Sequence, residues 1–142
     1  MRIYTIGHSS RELSQFISLL HEFEINLIVD VRSYPTSTRY PQFNGETLKR
    51  ALELHSIEYT HMPSLGGLGR DYRQYMRGEK FSSSISKLID LSRDKVLALV
   101  CAERDWRRCH RRFISETLVV KGIEVIHIIS KGRVERHPIP IF

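Results

Sequence analysis

Long apolar runs are missing from this chain of 142 residues. No stretch approaches the roughly 18 to 20 residues that a bilayer-crossing helix needs, so membrane-spanning function classes and membrane partners are not expected. Cysteine is scarce: Cys101 and Cys109 are the only two. The amino terminus, MRIYTIGHSS, lacks the apolar stretch and small-residue cleavage site of a secretory signal, so a cytoplasmic location is expected and a structural disulfide is not. Zinc held by Cys101, Cys109 and His110 would need a fourth ligand and a spacing that common zinc sites do not use. Repeats and low-complexity tracts are absent too, and 41% hydrophobic with 27% charged residues is the balance of an ordinary folded chain.

Acidic residues are in deficit. Sixteen Asp and Glu stand against 22 Lys and Arg, a formal net charge of +6, which suggests an anionic partner such as a small anion or a nucleic acid. The length suits one domain with one cleft.

What is present alternates. RIYTIGH (2 to 8) is β-prone, and Leu13, Phe16, Ile17, Leu20 and Phe23 then recur at helical spacing, with Ser9 or Ser10 as cap and Glu12 in the first turn. NLIVDVR reads as a strand buried on both faces, closed by the proline-bearing loop SYPTSTRYPQF. Asn44 is positioned to cap the helix GETLKRALELHSI, and EYTHMPS follows as a strand. After the glycine- and arginine-rich connection LGGLGRDYRQYMRGEK come a helix over about 81 to 93 and the strand KVLALVCAE. Asp105 caps a helix running to Gly122, and EVIHIIS is the fifth strand. The expectation is an α/β fold: a single three-layer domain, residues 1–142, with a mostly parallel five-stranded sheet and helices on both faces. Residues 131–142 read as an edge strand or a flexible tail.

Such folds bind ligands beyond the carboxyl ends of their strands. The first strand end presents His8 and Ser9, the second Asp30 and Arg32, and the fourth Cys101 and Glu103. Candidate catalytic residues are therefore His8, Ser9, Asp30, Glu103 and His110, since carboxylates and imidazoles carry protons. Arg32, Arg70, Arg107, Arg108 and Arg111 are candidate anion clamps. Gly66 and Gly67 permit a turn with positive φ or lend backbone amides to an anion. Tyr72, Tyr75 and Trp106 interleave with arginines and could stack on bases, with Tyr75 taken as substrate-binding. Asp30 has a plainer reading as a loop residue paired with Arg32. Cys101 and Cys109 are candidate thiols or simply buried.

The stretch CAERDWR has the cysteine-to-arginine spacing of a phosphatase loop, but it lacks the glycine that lets a backbone wrap an oxyanion, and Glu103 adds negative charge. LIVDVRSYP resembles the aspartate-valine-arginine strand of rhodanese-like sulfurtransferases; that resemblance implies a persulfide on Cys101. A wider resemblance rests on TIGHS, VDVRSYP, LGG, CAE and CHR in that order. Together they look like the uncharacterised family catalogued as domain of unknown function 488. That resemblance implies a compact α/β domain with a site from His8, Ser9, Asp30, Arg32, Glu103, Cys109, His110 and Arg111, and no reaction.

The leading functional expectation is an enzyme on a phosphate-bearing anion, a nucleotide or nucleic acid, by hydrolytic or glycosyl-bond chemistry. No resident cofactor is expected, although Asp30 and Glu103 could hold a divalent metal. The alternatives are thiol sulfur transfer through Cys101 and a non-catalytic nucleic-acid-binding module.

Overall fold

The apolar β-branched runs pair as strands because the helices between them cover both faces. The computed structural model describes residues 1 to 140. Its elements are β1 (Arg2–Gly7), α1 (Leu13–Glu22), β2 (Leu27–Asp30), α2 (Gly45–Leu54), β3 (Glu58–His61), α3 (Tyr72–Tyr75), α4 (Glu79–Asp94), β4 (Leu97–Cys101), α5 (Arg111–Val120), β5 (Glu124–Ser130) and β6 (Arg133–Arg136). They form one sheet in the order β3-β2-β4-β1-β5-β6. The first five strands run parallel and β6 pairs antiparallel with β5. The sheet thus has six strands, not five. Gly132, at φ +72°, allows the chain to double back, so the start of the tail becomes an edge strand; residues 141 and 142 lie outside the described residues.

Strand alternation divides the core. Tyr4, Ile6, Ile28, Ala98 and Val100 face α1 and α2, against Phe16, Leu20, Leu48 and Leu52. Ile3, Val29, Leu97, Leu99 and Cys101 face the other way, against Tyr72 of α3, Phe81, Ile85 and Leu88 of α4, and Ile114 and Leu118 of α5. Each such fully buried Leu, Ile or Phe contributes about 1.5 to 3 kcal/mol.

Three helix starts differ from expectation. Ser9 sits at φ +48° and its amide still bonds to the Ala102 carbonyl, so α1 begins only at Leu13, after Glu12. Asn44 precedes α2, but its side-chain oxygen accepts from the Ser37 amide instead of capping. Asp105 caps a single 3-10 turn, Trp106–Arg108, by accepting from the Arg107 amide, and α5 starts later, at Arg111.

β1 and β4 are neighbours whose following helices leave to opposite faces, which in an open parallel sheet marks the usual crevice. Here that gap is zipped shut, because the amides of His8 and Ser9 bond to the carbonyls of Cys101 and Ala102. A Cβ on Gly7 would collide with the carbonyl of Glu103, so only glycine permits this approach. The opening is displaced toward β2.

Candidate active site

The displaced cleft, about 530 Å³, lies between the loops after β2, β3 and β4. It is lined by Arg32, Ser33, Tyr34, Thr36, Gly67 and Leu68 on one side, and by Cys101, Ala102, Glu103, Arg108, Cys109 and His110 on the other. Ser33 Oγ accepts from the Leu68 amide at 3.0 Å, tying two of the loops together. Neither Gly66 nor Gly67 has positive φ, contrary to the turn reading; Gly69 has it instead, at +71°. The two glycines are needed for space. A Cβ on Gly66 would meet Ser33 Cα at 2.6 Å, and one on Gly67 would press on the His110 ring at 3.1 Å.

Cys101 and Cys109 meet in this cleft, their sulfurs 2.7 Å apart. That is inside van der Waals contact, a short movement from the roughly 2.05 Å of a disulfide. The protein environment makes them unequal. The hydrogen bond from Cys101 pulls the Cys109 thiol pKa down, and although burial opposes this, the imidazole of His110 and the guanidinium of Arg111 add to it. Burial pushes the Cys101 thiol up. His110 Nε2 lies 2.8 Å from the Val31 carbonyl, which can only accept, so the Nε2 proton is fixed. Nδ1, 3.6 Å from Cys109 Sγ, is left to take the thiol's proton. Burial draws His110 down most, yet the bond to and charge of the Cys109 sulfur, with the Val31 carbonyl, together outweigh this and its pKa stands raised. The amide of Arg111, opening α5, also points at that sulfur from 3.4 Å, and a helix start favours a thiolate.

Arg111 is 1% exposed. It has no carboxylate partner among the described residues. Its Nη1 donates to Thr5 Oγ1 at 3.0 Å, its Nη2 to the Glu103 carbonyl at 2.6 Å, and its Nε has no partner. It is a buried cation beside the cysteine pair, not a clamp open to substrate.

His8 and Asp30 lie away from the cleft, because alternation turns them to the α1 and α2 face, while Arg32, which also forms part of the cleft wall, is committed to Asp30. Asp30 is fully buried and Arg32 nearly so. Asp30 Oδ1 accepts from Arg32 Nε at 2.9 Å and its amide at 3.2 Å, while Oδ2 accepts from Arg32 Nη2 and the Tyr59 hydroxyl, each at 2.6 Å. This is the paired arrangement, and a divalent ion at Asp30 and Glu103 finds no free carboxylate at Asp30. Among the described residues no three His, Cys, Asp or Glu side chains gather as metal ligands do. His8 stacks on Phe43 with centroids 4.4 Å apart, donates from Nδ1 to the Ser9 carbonyl, and turns Nε2 to Arg32 at 3.3 Å. Burial, and to a lesser degree the Arg32 charge, lower its pKa to about 4. Glu103 is exposed at the cleft rim and accepts from the Asp105 amide.

The aromatics turn into the protein. Arg70 donates to the Gly66 carbonyl and lies 4.0 Å over the Tyr75 ring, whose hydroxyl bonds to Ser64. Tyr72 is core, and Trp106 stacks on His127 at 4.2 Å. Arg107 pairs with Glu135 at 2.7 Å. Of the expected clamps, Arg108 alone is both at the cleft and largely in solvent, 81% exposed at its side chain and only 3.9 Å from Asp105 as pairing.

Sequence reasoning did not find Thr5, His127, His137, Glu116 or Tyr59. The available signal was that Thr5 and His127 are polar side chains inside apolar strands, and the register sets them opposite each other.

Fold and side chains together define a mostly parallel α/β domain with a dithiol site at the carboxyl edge of its sheet. The chain belongs to the family described as domain of unknown function DUF488, whose sequence profile matches residues 12–71 and 68–118. No curated protein and no solved structure matches the chain significantly. No helix among the described residues is long and apolar enough to cross a membrane.

Proposed function

We propose that the protein is a dithiol enzyme acting on an anionic sulfur substrate, with Cys109 as nucleophile and Cys101 as resolving thiol. One observation carries this: two sulfurs in contact at a cleft, one of them flanked by His110 and Arg111. The Cys109 thiolate attacks a disulfide R–S–S–R′, forming Cys109–S–S–R and expelling R′–S⁻, which takes the proton from His110 Nδ1. Cys101 then gives its proton to the freed imidazole, its sulfur attacks Cys109, and R–S⁻ leaves with that proton as RSH. The products are RSH, R′SH and a Cys101–Cys109 disulfide, and an external dithiol returns the two electrons. Arg108 and the formal charge of +6 favour an anionic R group.

This reading shares a thiolate nucleophile with the rhodanese-like expectation, but it assigns the attack to Cys109 and replaces persulfide transfer by thiol–disulfide exchange. Carboxylate-driven chemistry on a phosphate-bearing substrate has less support, since Asp30 is spent on Arg32 and Tyr59. The test mixes reduced protein with a bis(nitrobenzoate) disulfide and weighs the product. Cys101→Ser traps a mixed disulfide on Cys109, Cys109→Ser gives none, and the wild type ends as an internal disulfide. Adducts that form equally well on Cys109→Ser overturn the assignment.

A further inference from the structure

A buried row of polar groups runs from the dithiol site to the surface, and the proposed reaction does not use it. Arg111 Nη1 lies 3.0 Å from Thr5 Oγ1, and Thr5 Oγ1 lies 2.6 Å from His127 Nδ1. His127 Nε2 lies 2.9 Å from His137 Nδ1, and His137 Nε2 lies 3.0 Å from Glu116 Oε2. Thr5 and His127 are fully buried and His137 nearly so, whereas Glu116 is half exposed. Trp106 closes the side of the row, parallel to the His127 ring.

A guanidinium only donates, and an ionised carboxylate only accepts. One direction of bonds serves every group of the row without adding a second buried cation: in it Thr5 accepts from Arg111 and gives its hydroxyl proton to His127 Nδ1. His127 must then carry its proton on Nε2 and donate to His137 Nδ1, and His137 donates from Nε2 to Glu116. Burial keeps the His127 imidazole neutral, and in this direction each ring is held in one tautomer. At its inner end the row holds a guanidinium that shares the Glu103 carbonyl with the Cys101 thiol, 2.6 Å from Nη2 and 3.7 Å from Sγ.

We propose that Thr5, His127, His137 and Glu116 are positioning residues for the dithiol, orienting the Arg111 guanidinium so that its charge sustains the Cys109 thiolate. The inference rests on the dithiol reading. A hydroxyl at position 5 is needed because it is the one group that both receives Arg111 and passes polarity outward. The carboxylate at position 116 holds the outer imidazole in the tautomer that the inner one requires. Without the row, Arg111 keeps its charge but loses the bond that aims it.

The test follows thiolate absorbance and mixed-disulfide formation against pH, on the reduced full chain with the bis(nitrobenzoate) disulfide as probe. Thr5→Val keeps the shape and deletes the relay; Thr5→Ser keeps the relay. The expected result is that Thr5→Val reacts about tenfold more slowly near pH 5, where the thiolate depends on its stabilisers, and within about twofold of wild type near pH 9, where free thiols ionise anyway. Thr5→Ser restores the low-pH rate. Glu116→Ala, at the exposed end and safe for folding, slows the low-pH arm by about threefold, and it decides alone if Thr5→Val does not fold. A loss equal at every pH is a structural effect and overturns the proposal, as do profiles that superimpose on wild type. A wild-type protein with no low-pH thiolate overturns the dithiol reading and the relay's role with it; a wild-type thiolate indifferent to these substitutions overturns the relay alone.

Discussion

Replacing Asp30 by Asn separates a structural ion pair from a catalytic carboxylate. The side chain is fully buried and accepts from the Arg32 amide, Nε and Nη2 and from the Tyr59 hydroxyl. Asparagine has the same shape, but whichever way its amide turns, an NH₂ group faces donors that a carboxylate oxygen had accepted. The Tyr59 hydroxyl can rotate, whereas the Arg32 guanidinium can only donate and stays buried without a counter-charge. Breaking a buried pair from one side costs about 3 to 5 kcal/mol, a large part of the roughly 5 to 15 kcal/mol that holds a domain folded. With a urea dependence of about 1 to 3 kcal/mol per molar, the midpoint falls by about 1 to 5 M. The assay is equilibrium urea unfolding followed by Trp106, the single tryptophan, which is buried and stacked on His127. Adding Arg32→Met to Asp30→Asn recovers part of the loss, because the orphaned cation is gone. Below the transition, the variant's Cys109 keeps its reaction with a disulfide. An Asp30→Asn protein as stable as wild type but without turnover refutes this reasoning and returns Asp30 to catalysis.

Three further outcomes are expected. Gly66→Ala drives a methyl into the Ser33 backbone, so the β2 and β3 loops separate; a loss of about 1 to 3 kcal/mol, typical of overpacking, together with slower Cys109 chemistry is expected, and unchanged melting contradicts the close approach. Burial lowers His8 to about 4 and His127 to about 2 from the ordinary 6.5, so below that value the unfolded chain binds protons that the fold refuses. Stability, complete above the unfolded pKa, then falls by about 1.4 kcal/mol per pH unit for each histidine, until His8 titrates in the fold and, lower still, His127; urea midpoints in a Cys109→Ser background, which removes the thiol's own contribution of the same sign, read this directly, and a flat profile refutes the burial of both rings. Arg108→Glu reverses the charge at the cleft rim, so the ratio of rates for bis(nitrobenzoate) disulfide over cystamine drops by about tenfold or more, while neutral dithiodipyridine barely changes; equal ratios in the two proteins remove Arg108 from recognition.

The sheet was legible because β1, β2 and β4 are mostly apolar, and a strand covered on both faces leaves that pattern whatever else surrounds it. The same pattern marked Gly7, Asp30 and Cys101 as strand ends. What it left open was the face. Asp30 and Cys101 both close strands in one sheet, yet alternation sends Asp30 toward Tyr59 and Cys101 toward Cys109. Register between distant strands decides this, and composition carries no trace of register. The meeting of Cys101 and Cys109 depends on the 3-10 turn Trp106–Arg108, which brings the chain back before α5 begins; the sequence there reads equally well as a helix started by Asp105. Thr5 and His127 were hidden for the opposite reason, as single polar residues whose partners lie 122 and 10 positions away.

The proposed exchange requires Cys109 to be the ionised thiol of the pair, and the most direct measurement is the alkylation rate of each cysteine in the native, reduced protein across the acid to neutral range, resolved by peptide mapping. Cys109 is expected to react with iodoacetamide near pH 6 at a rate that free cysteine reaches only near its own pKa of about 8.5, with Cys101 unmodified until Cys109 is blocked or the chain unfolds. Two thiols that stay inert until unfolding, or a Cys101 that reacts first, contradict it.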